Sequence, residues 1–156
     1  MKIDFIGSIV VSVTKVIKTM ASVEISRGKS LKKRGNIAHG DVTGVIGMVA
    51  PNALGSLAIS FSQSAILEII SGMLGESFTE INEEVTDCVG EITNMVAGGA
   101  KKIMAEKGLD FGMATPVVVT GKNHMIIHQV FETNIAIPFK TETGTFIVEI
   151  CFKESE

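Results

Sequence analysis

Residues 79–108 read TEINEEVTDCVGEITNMVAGGAKKIMAEKG, and the spacing of apolar positions along this stretch decides the architecture. Val85, Cys88, Ile92, Met95, Val96, Gly99 and Ile103 recur mostly at intervals of three and four, sharing one arc of a helical wheel. Asp87, Glu91, Asn94, Gly98 and Lys101 gather on the opposite side, within about 80° of one another. A helix from Thr79 to Glu106, ended by Gly108, accounts for both sets. Thr79 with Asn82 makes an imperfect capping arrangement, and Glu80, Glu83 and Glu84 suit the positive end of the helix dipole. Lys101, Lys102 and Lys107 suit its negative end. The polar residues stack in a row along the helix, so the row is expected to face outward and to line no pocket within its own helix.

That row has an unusual make-up. Asn94 is a poor helix former in mid-helix, where its amide competes with backbone hydrogen bonds. Gly90 and Gly98 lie on or near the same face, each costing about 0.8–1 kcal/mol relative to Ala. Small residues beside a polar pair let another molecule come close. The bland alternative is a solvated face with an incidental asparagine.

Outward from this helix, the chain alternates helical and strand-like patterns. Phe5, Ile6, Ile9, Val10, Val13, Val16, Ile17 and Met20 recur at helical spacing over an arc of about 140°. Asp4, Ser8, Ser12, Lys15 and Lys18 fall on the other side. Val23 to Arg34 is a short apolar alternation leading into a basic run, read as a solvated loop between strands in preference to an anion site. Val42–Ala50 and Leu54–Phe61 read as strands around a Pro51-Asn52 turn. A helix from about Ser64 to Leu74 follows, with Ser62 or Gln63 near its start and Gly75 near its end. Strand-like patterns then run from Pro116 to Thr120, His124 to Phe139 and Thr145 to Phe152. The two halves match in order: helix, then strands, then helix, then strands. Asp4 to Val11 lies over Asp87 to Asn94, and Gly55-Ser56-Leu57 over Gly144-Thr145-Phe146, which suggests a duplicated unit. The reading is therefore α+β: long helices on a mainly antiparallel sheet with an internal pseudo-repeat, residues 1–156 forming one domain.

Composition narrows the function classes. The chain has 156 residues, enough to close one core without disulfides or metal, and a net charge of -3. It has no Trp or Tyr to stack on bases, so no nucleic-acid partner is expected. Lys2 before the apolar run Ile3 to Val13 loosely resembles a secretion signal. Asp4 and Lys15 break it, and it is too short to span a bilayer, so no membrane insertion is expected. Cys88 and Cys151 sit in apolar patterns, behave as core residues, and suit a reducing, cytoplasmic setting. His124 and His128 would share a strand face, but no third ligand stands nearby, and His39 is remote in sequence. No metal site is expected, and the eight methionines read as core filling.

Asp87-Cys88-Val89-Gly90-Glu91-Ile92-Thr93-Asn94-Met95 resembles the signature of the CheC/CheX/FliY family of chemotaxis response-regulator phosphatases: Asp or Ser, three residues, Glu, two residues, Asn. Gly90, Met95, Ala97 and Gly98, with Thr115-Pro116 and Val117 to Gly121, resemble the CheX branch in particular, and the likeness spans nearly the whole chain. The resemblance implies a CheC-like fold and dephosphorylation of a phosphorylated CheY-type regulator. Asn94 would hold water in line with the aspartyl phosphate, and Glu91 would pair with the regulator's lysine. Asp87 and Gly98 would have supporting roles. No cofactor is implied for this chain, because the Mg²⁺ would belong to the regulator. A homodimer is also implied. Ser8 and Val11 stand where Glu91 and Asn94 stand in the second unit and can supply neither group, so one active site per chain is expected. A non-catalytic adaptor docking a regulator or flagellar switch component through the same face is the alternative. A small-molecule sensor domain is a more distant one.

Overall fold

The computed structural model describes residues 5–32, 40–121, 124 and 134–154. Helix α1 (Phe5–Ala21) leads into two short strands, β1 (Ser26–Arg27) and β2 (Leu31–Lys32), and then a hairpin of β3 (Val42–Ala50) and β4 (Ala53–Phe61). Helices α2 (Gln63–Leu74) and α3 (Glu83–Glu106) come next. Strands β5 (Gly112–Met113), β6 (Val117–Thr120), β7 (Asn134–Lys140) and β8 (Thr145–Glu154) complete the described chain.

The strands make one antiparallel sheet in the order β1-β7-β8-β4-β3-β5, with β2 also pairing β7 and β6 also pairing β3. Exchanging the two halves of the chain leaves this order unchanged. β3 and β4 take the places of β7 and β8, and β5 with β6 takes that of β1 with β2. The spacing that separates Gly55 from Gly144 also separates Ile59 from Val148, which are directly paired. A local twofold axis therefore passes through that pair, and the duplication legible in the sequence is the symmetry of the sheet.

Alternation along the strands places Leu57, Ile59 and Phe61 of β4 on one face with Phe146, Val148 and Ile150 of β8. All six are buried and share one core with Ile9, Val13 and Ile17 of α1 and Ile92 and Val96 of α3. Burying each such side chain contributes about 1.5–3 kcal/mol. Phe139 and Phe146 face each other across β7 and β8 with ring centroids 5.0 Å apart.

Several boundaries differ from the sequence reading. The long helix begins at Glu83, not Thr79, because Asn82 is the cap: its Oδ1 accepts the Val85 N–H at 2.9 Å. Lys107 is the residue at its C-terminal cap, and its last turn carries no basic side chain. Beyond it, Gly108 takes a left-handed backbone (φ 90°), and the Leu109 N–H reaches back to the Met104 carbonyl at 3.1 Å. The loop read over Val23 to Arg34 contains β1 and β2, which lie along the edge of β7. The strand read from His124 is seen from Asn134 onward; residues 122–123 and 125–133 lie outside the described residues, as do His39 and His128. His124 itself is in no strand.

On α1 the helical wheel misplaces two serines. Ser8 and Ser12 are buried, at 2% and 3% exposure, whereas Met20 is exposed. Ser12 sits in the contact with α3, where its Oγ donates to the Val96 carbonyl at 2.6 Å. A buried hydroxyl is tolerated when it is hydrogen-bonded, and this one crosses between the two symmetry-related helices.

At the other end, the turn between β7 and β8 docks on the start of α2. Ser62 caps that helix, and Glu68 accepts hydrogen bonds from the Thr143 N–H (3.0 Å) and Thr143 Oγ1 (2.6 Å). Burial raises the Glu68 pKa, but the hydrogen bonds from Thr143 and Thr141 outweigh it, so the carboxyl lies below its ordinary value of 4.5. A depressed folded-state pKa gives stability that is present above 4.5 and lost as pH falls through the folded value. Glu68→Gln is therefore expected to lower Tm by about 2 °C at neutral pH. The difference from the parent should shrink under acid melting; a gap independent of pH would refute the assignment.

Candidate functional site

Asn94 and Glu91 are exposed side chains on α3, and Asp87 lies exposed one turn before Glu91. The opposite flank of the helix is more deeply packed than the wheel suggests. Val89, Thr93, Ala97, Ala100 and Met104 are fully buried, while Met95, Gly99 and Ile103 are only half-buried. The cause is two-sided packing. One flank meets α1, where a Cβ at Gly99 would collide with Ser12 Oγ. The other meets β3, where a Cβ at Gly44 would collide with Thr93 Oγ1. Only the remaining flank is free, and it carries the polar row.

The row faces outward and, opposite a neighbouring part of the sheet, forms one wall of an open groove of about 580 Å³. Thr86, Asp87, Gly90, Glu91 and Asn94 supply that wall. Met113, Ala114, Thr115, Pro116 and Val118, from β5, β6 and the link between them, supply the other. The two sides meet at Gly90, where a Cβ would lie 3.4 Å from Val118 Cγ2. The second wall was legible only as the Thr115-Pro116 resemblance. β5 is two residues long, too short for a periodic signal, and nothing in the sequence places it beside α3.

Two carboxylates and a carboxamide thus meet a largely apolar wall in a groove open to solvent. Asn94 can donate and accept hydrogen bonds without adding charge, and Glu91 or Asp87 can pair with a cation. Gly98, half-buried beyond Asn94 on the helix, has nothing within 4 Å of where its Cβ would stand. Lys101, also of the row, lies outside the groove and pairs with Asp110 at 3.4 Å. Cys88 is buried beneath the row. Burial, and then the carboxylates of Glu91, Glu84 and Asp87, push its thiol up, so it is protonated at neutral pH and is no nucleophile.

The first-unit counterparts diverge. Val11 is 55% exposed, whereas Ser8 is buried within the fold instead of standing beside it on the surface. His124 is structural: its Nδ1 lies 2.6 Å from the Gly121 carbonyl and its Nε2 lies 2.5 Å from Thr43 Oγ1. Because a carbonyl can only accept, Nδ1 is the donor to Gly121. Thr43 Oγ1 in turn shares a hydrogen bond with Ser60 Oγ at 2.8 Å.

Long helices on one antiparallel sheet, built as a symmetric duplication, make this a CheC-like fold. Comparison with known proteins narrows the class. A family model described as "Chemotaxis phosphatase CheX" matches residues 42–140, which include both walls of the groove. Over 120 residues the chain is 30% identical to the CheY-P phosphatase CheX of Thermotoga maritima, covering 76% of each protein. The chain belongs to the CheX family. The crystal structure of chemotaxis protein CheX from Vibrio vulnificus is similar at TM-score 0.89 and 51% identity, over 96% of this chain and 99% of that one. CheX of Borrelia burgdorferi, solved as a CheX–CheY–BeF3–Mg²⁺ complex, shares the fold at TM-score 0.82 and 24% identity, over 98% of this chain and 100% of that one.

The open space around Gly98 has a direct consequence. Its backbone is ordinary helix, without a positive φ. Gly98→Ala should therefore raise Tm by about 2–4 °C, corresponding to about 1 kcal/mol of helix propensity. A lower Tm would mean that the position is packed.

Proposed function

We propose that this protein hydrolyses the aspartyl phosphate of a CheY-type response regulator at the α3 groove, with Asn94 orienting the attacking water and Glu91 docking the regulator. The observation that carries this reading is the exposure of Glu91 and Asn94 on one wall of an open groove, in a chain of the CheX family. The relative from Thermotoga maritima is a CheY-P phosphatase, and the Borrelia burgdorferi structure is a complex with CheY.

In this reaction a water oxygen bonds to phosphorus while the bond from phosphorus to the aspartyl oxygen breaks. The products are inorganic phosphate and a free carboxylate. A carboxylate leaves readily, so no general acid is demanded of this chain. Positioning and charge account for most of the catalysis of phosphoryl transfer. The Asn94 carboxamide suits the task because its oxygen can accept from water without repelling the phosphate oxygens. Glu91 pairs with the regulator's lysine, which contributes to docking, and Asp87 lies at the groove's edge in support. The regulator brings the Mg²⁺, and this chain contributes no cofactor of its own.

Asn94→Ala should keep regulator binding within about twofold and lose most of the turnover, because an amide that orients water acts chiefly in the transition state. Glu91→Ala should weaken both. Gly98→Leu, well folded, should lose affinity by obstructing the approach to Asn94. Phosphate release from the phosphorylated regulator, measured beside binding, checks all three; full turnover in Asn94→Ala would end this mechanism, and binding without any turnover in the parent would favour an adaptor.

The reading also includes a cytoplasmic homodimer, for which β5 and β6 of the C-terminal half offer an edge of the sheet. Sedimentation of the purified protein should give twice the chain mass. A monomer at micromolar concentration would remove the dimer from the account.

A further inference from the structure

Gly44 lies mid-strand in β3, paired with Ile59 of β4 and Val118 of β6. Glycine weakens a strand interior, and here no left-handed backbone calls for it, because Gly44 has no positive φ. What calls for it is space. A Cβ at this position would strike Thr93 Oγ1, come within 3.0 Å of Thr93 Cβ, and lie 3.3 Å from Val89 Cγ1. Thr93 is fully buried, and its hydroxyl donates to the Val89 carbonyl at 2.8 Å, so it cannot swing away without losing that bond. Thr93 is therefore keyed into a notch in the sheet, and the next residue is Asn94.

Successive residues on a helix are about 100° apart, so whatever fixes the direction of Thr93 also fixes that of Asn94 and, two residues earlier, Glu91. At a side-chain radius of about 5–6 Å, turning the helix by about 10° moves a tip by about 1 Å. A misplacement of that size can cost a reaction about a hundredfold. We infer that Gly44, with Thr93 seated against it, is a positioning residue that sets the rotation of α3 and so places the Asn94 carboxamide and the Glu91 carboxylate over the groove. The inference rests on the proposed function for its effect on turnover, though not for the geometry.

Gly72 provides a control. A Cβ there would collide with the Ala21 carbonyl, a comparable steric notch between α2 and the end of α1, away from the groove. Gly44→Ala and Gly72→Ala are both expected to lower Tm. Only Gly44→Ala should lower kcat toward a saturating phosphorylated regulator, by about tenfold or more, with a smaller rise in KM from the displaced Glu91. Adding Thr93→Ala removes the oxygen that the new methyl would strike and should restore much of kcat. Thr93→Ala alone leaves the notch empty and should show a severalfold lower kcat.

A folded Gly44→Ala protein with parental kcat overturns the inference, as does an equal kcat loss in Gly72→Ala. Should Gly44→Ala fail to fold, parental kcat in Thr93→Ala overturns it instead. The Asn94 side-chain amide resonance gives a readout independent of activity: it should shift in Gly44→Ala and not in Gly72→Ala. An inactive parent whose Asn94 resonance still responds to Gly44→Ala would remove the phosphatase reading and leave the positioning geometry standing. An unmoved resonance removes the positioning.

Discussion

What happens on the exposed flank of α3 depends on how that helix is held between α1 and β3. Both contacts rely on missing side chains. Gly99 leaves room for Ser12, and Gly44 leaves room for Thr93. Each neighbour then turns its hydroxyl onto a carbonyl of α3, that of Val96 or Val89. Close approach and hydrogen bonding act together here, since a hydroxyl buried at such contact would be costly without its acceptor. The helix is left with one rotation that satisfies both flanks, and the third flank faces the groove.

Duplication explains how this arrangement can carry the polar pair on only one of its two long helices. The twofold through Ile59 and Val148 requires two helices packed side by side on one face of the sheet, each with a flank exposed. Symmetry supplies the scaffold and leaves the surface chemistry free to differ. In the second unit the exposed positions are Glu91 and Asn94; in the first, Val11 is exposed while Ser8 has become part of the interior. The first helix therefore supports its partner through packing, with Ser12 reaching across to Val96, and the second carries the polar pair.

The fold was legible in the sequence wherever burial follows a simple period. Both long helices and the β3–β4 hairpin came from apolar spacing and turn residues, and the repeat from the match of Asp4 to Val11 with Asp87 to Asn94. Ser8 and Ser12 escaped that logic because a wheel assigns small polar residues to water, and only the tertiary contact reveals their burial. Thr93 was placed on neither face of the wheel, and its burial too shows only in the tertiary contact. The polar row on α3 was legible, but the groove was not, because its second wall comes from Met113 to Val118, distant in sequence and nearly without secondary-structure signal. A single helix can show in its sequence which face is free. What stands opposite that face is a property of the tertiary fold.

An open groove is also the shape this chemistry needs. An enzyme for a small molecule gains by closing over its substrate and excluding water. Here the proposed substrate is a folded protein that carries its own metal, its own lysine and its own activated phosphoryl group. On the proposed mechanism this chain need only add one well-placed amide and one carboxylate, on an element narrow enough to enter the partner's site. A helix flank bordered by Gly90 and Gly98 meets that requirement, and a deep pocket would defeat it. Rigidity must then come from behind. A side chain that projects into another protein has few neighbours on its own chain to hold it, so its accuracy is that of the backbone beneath it. On that proposal, the packing of Thr93 and Gly99, both turned away from the groove, bears on the chemistry assigned to the residues in front of them.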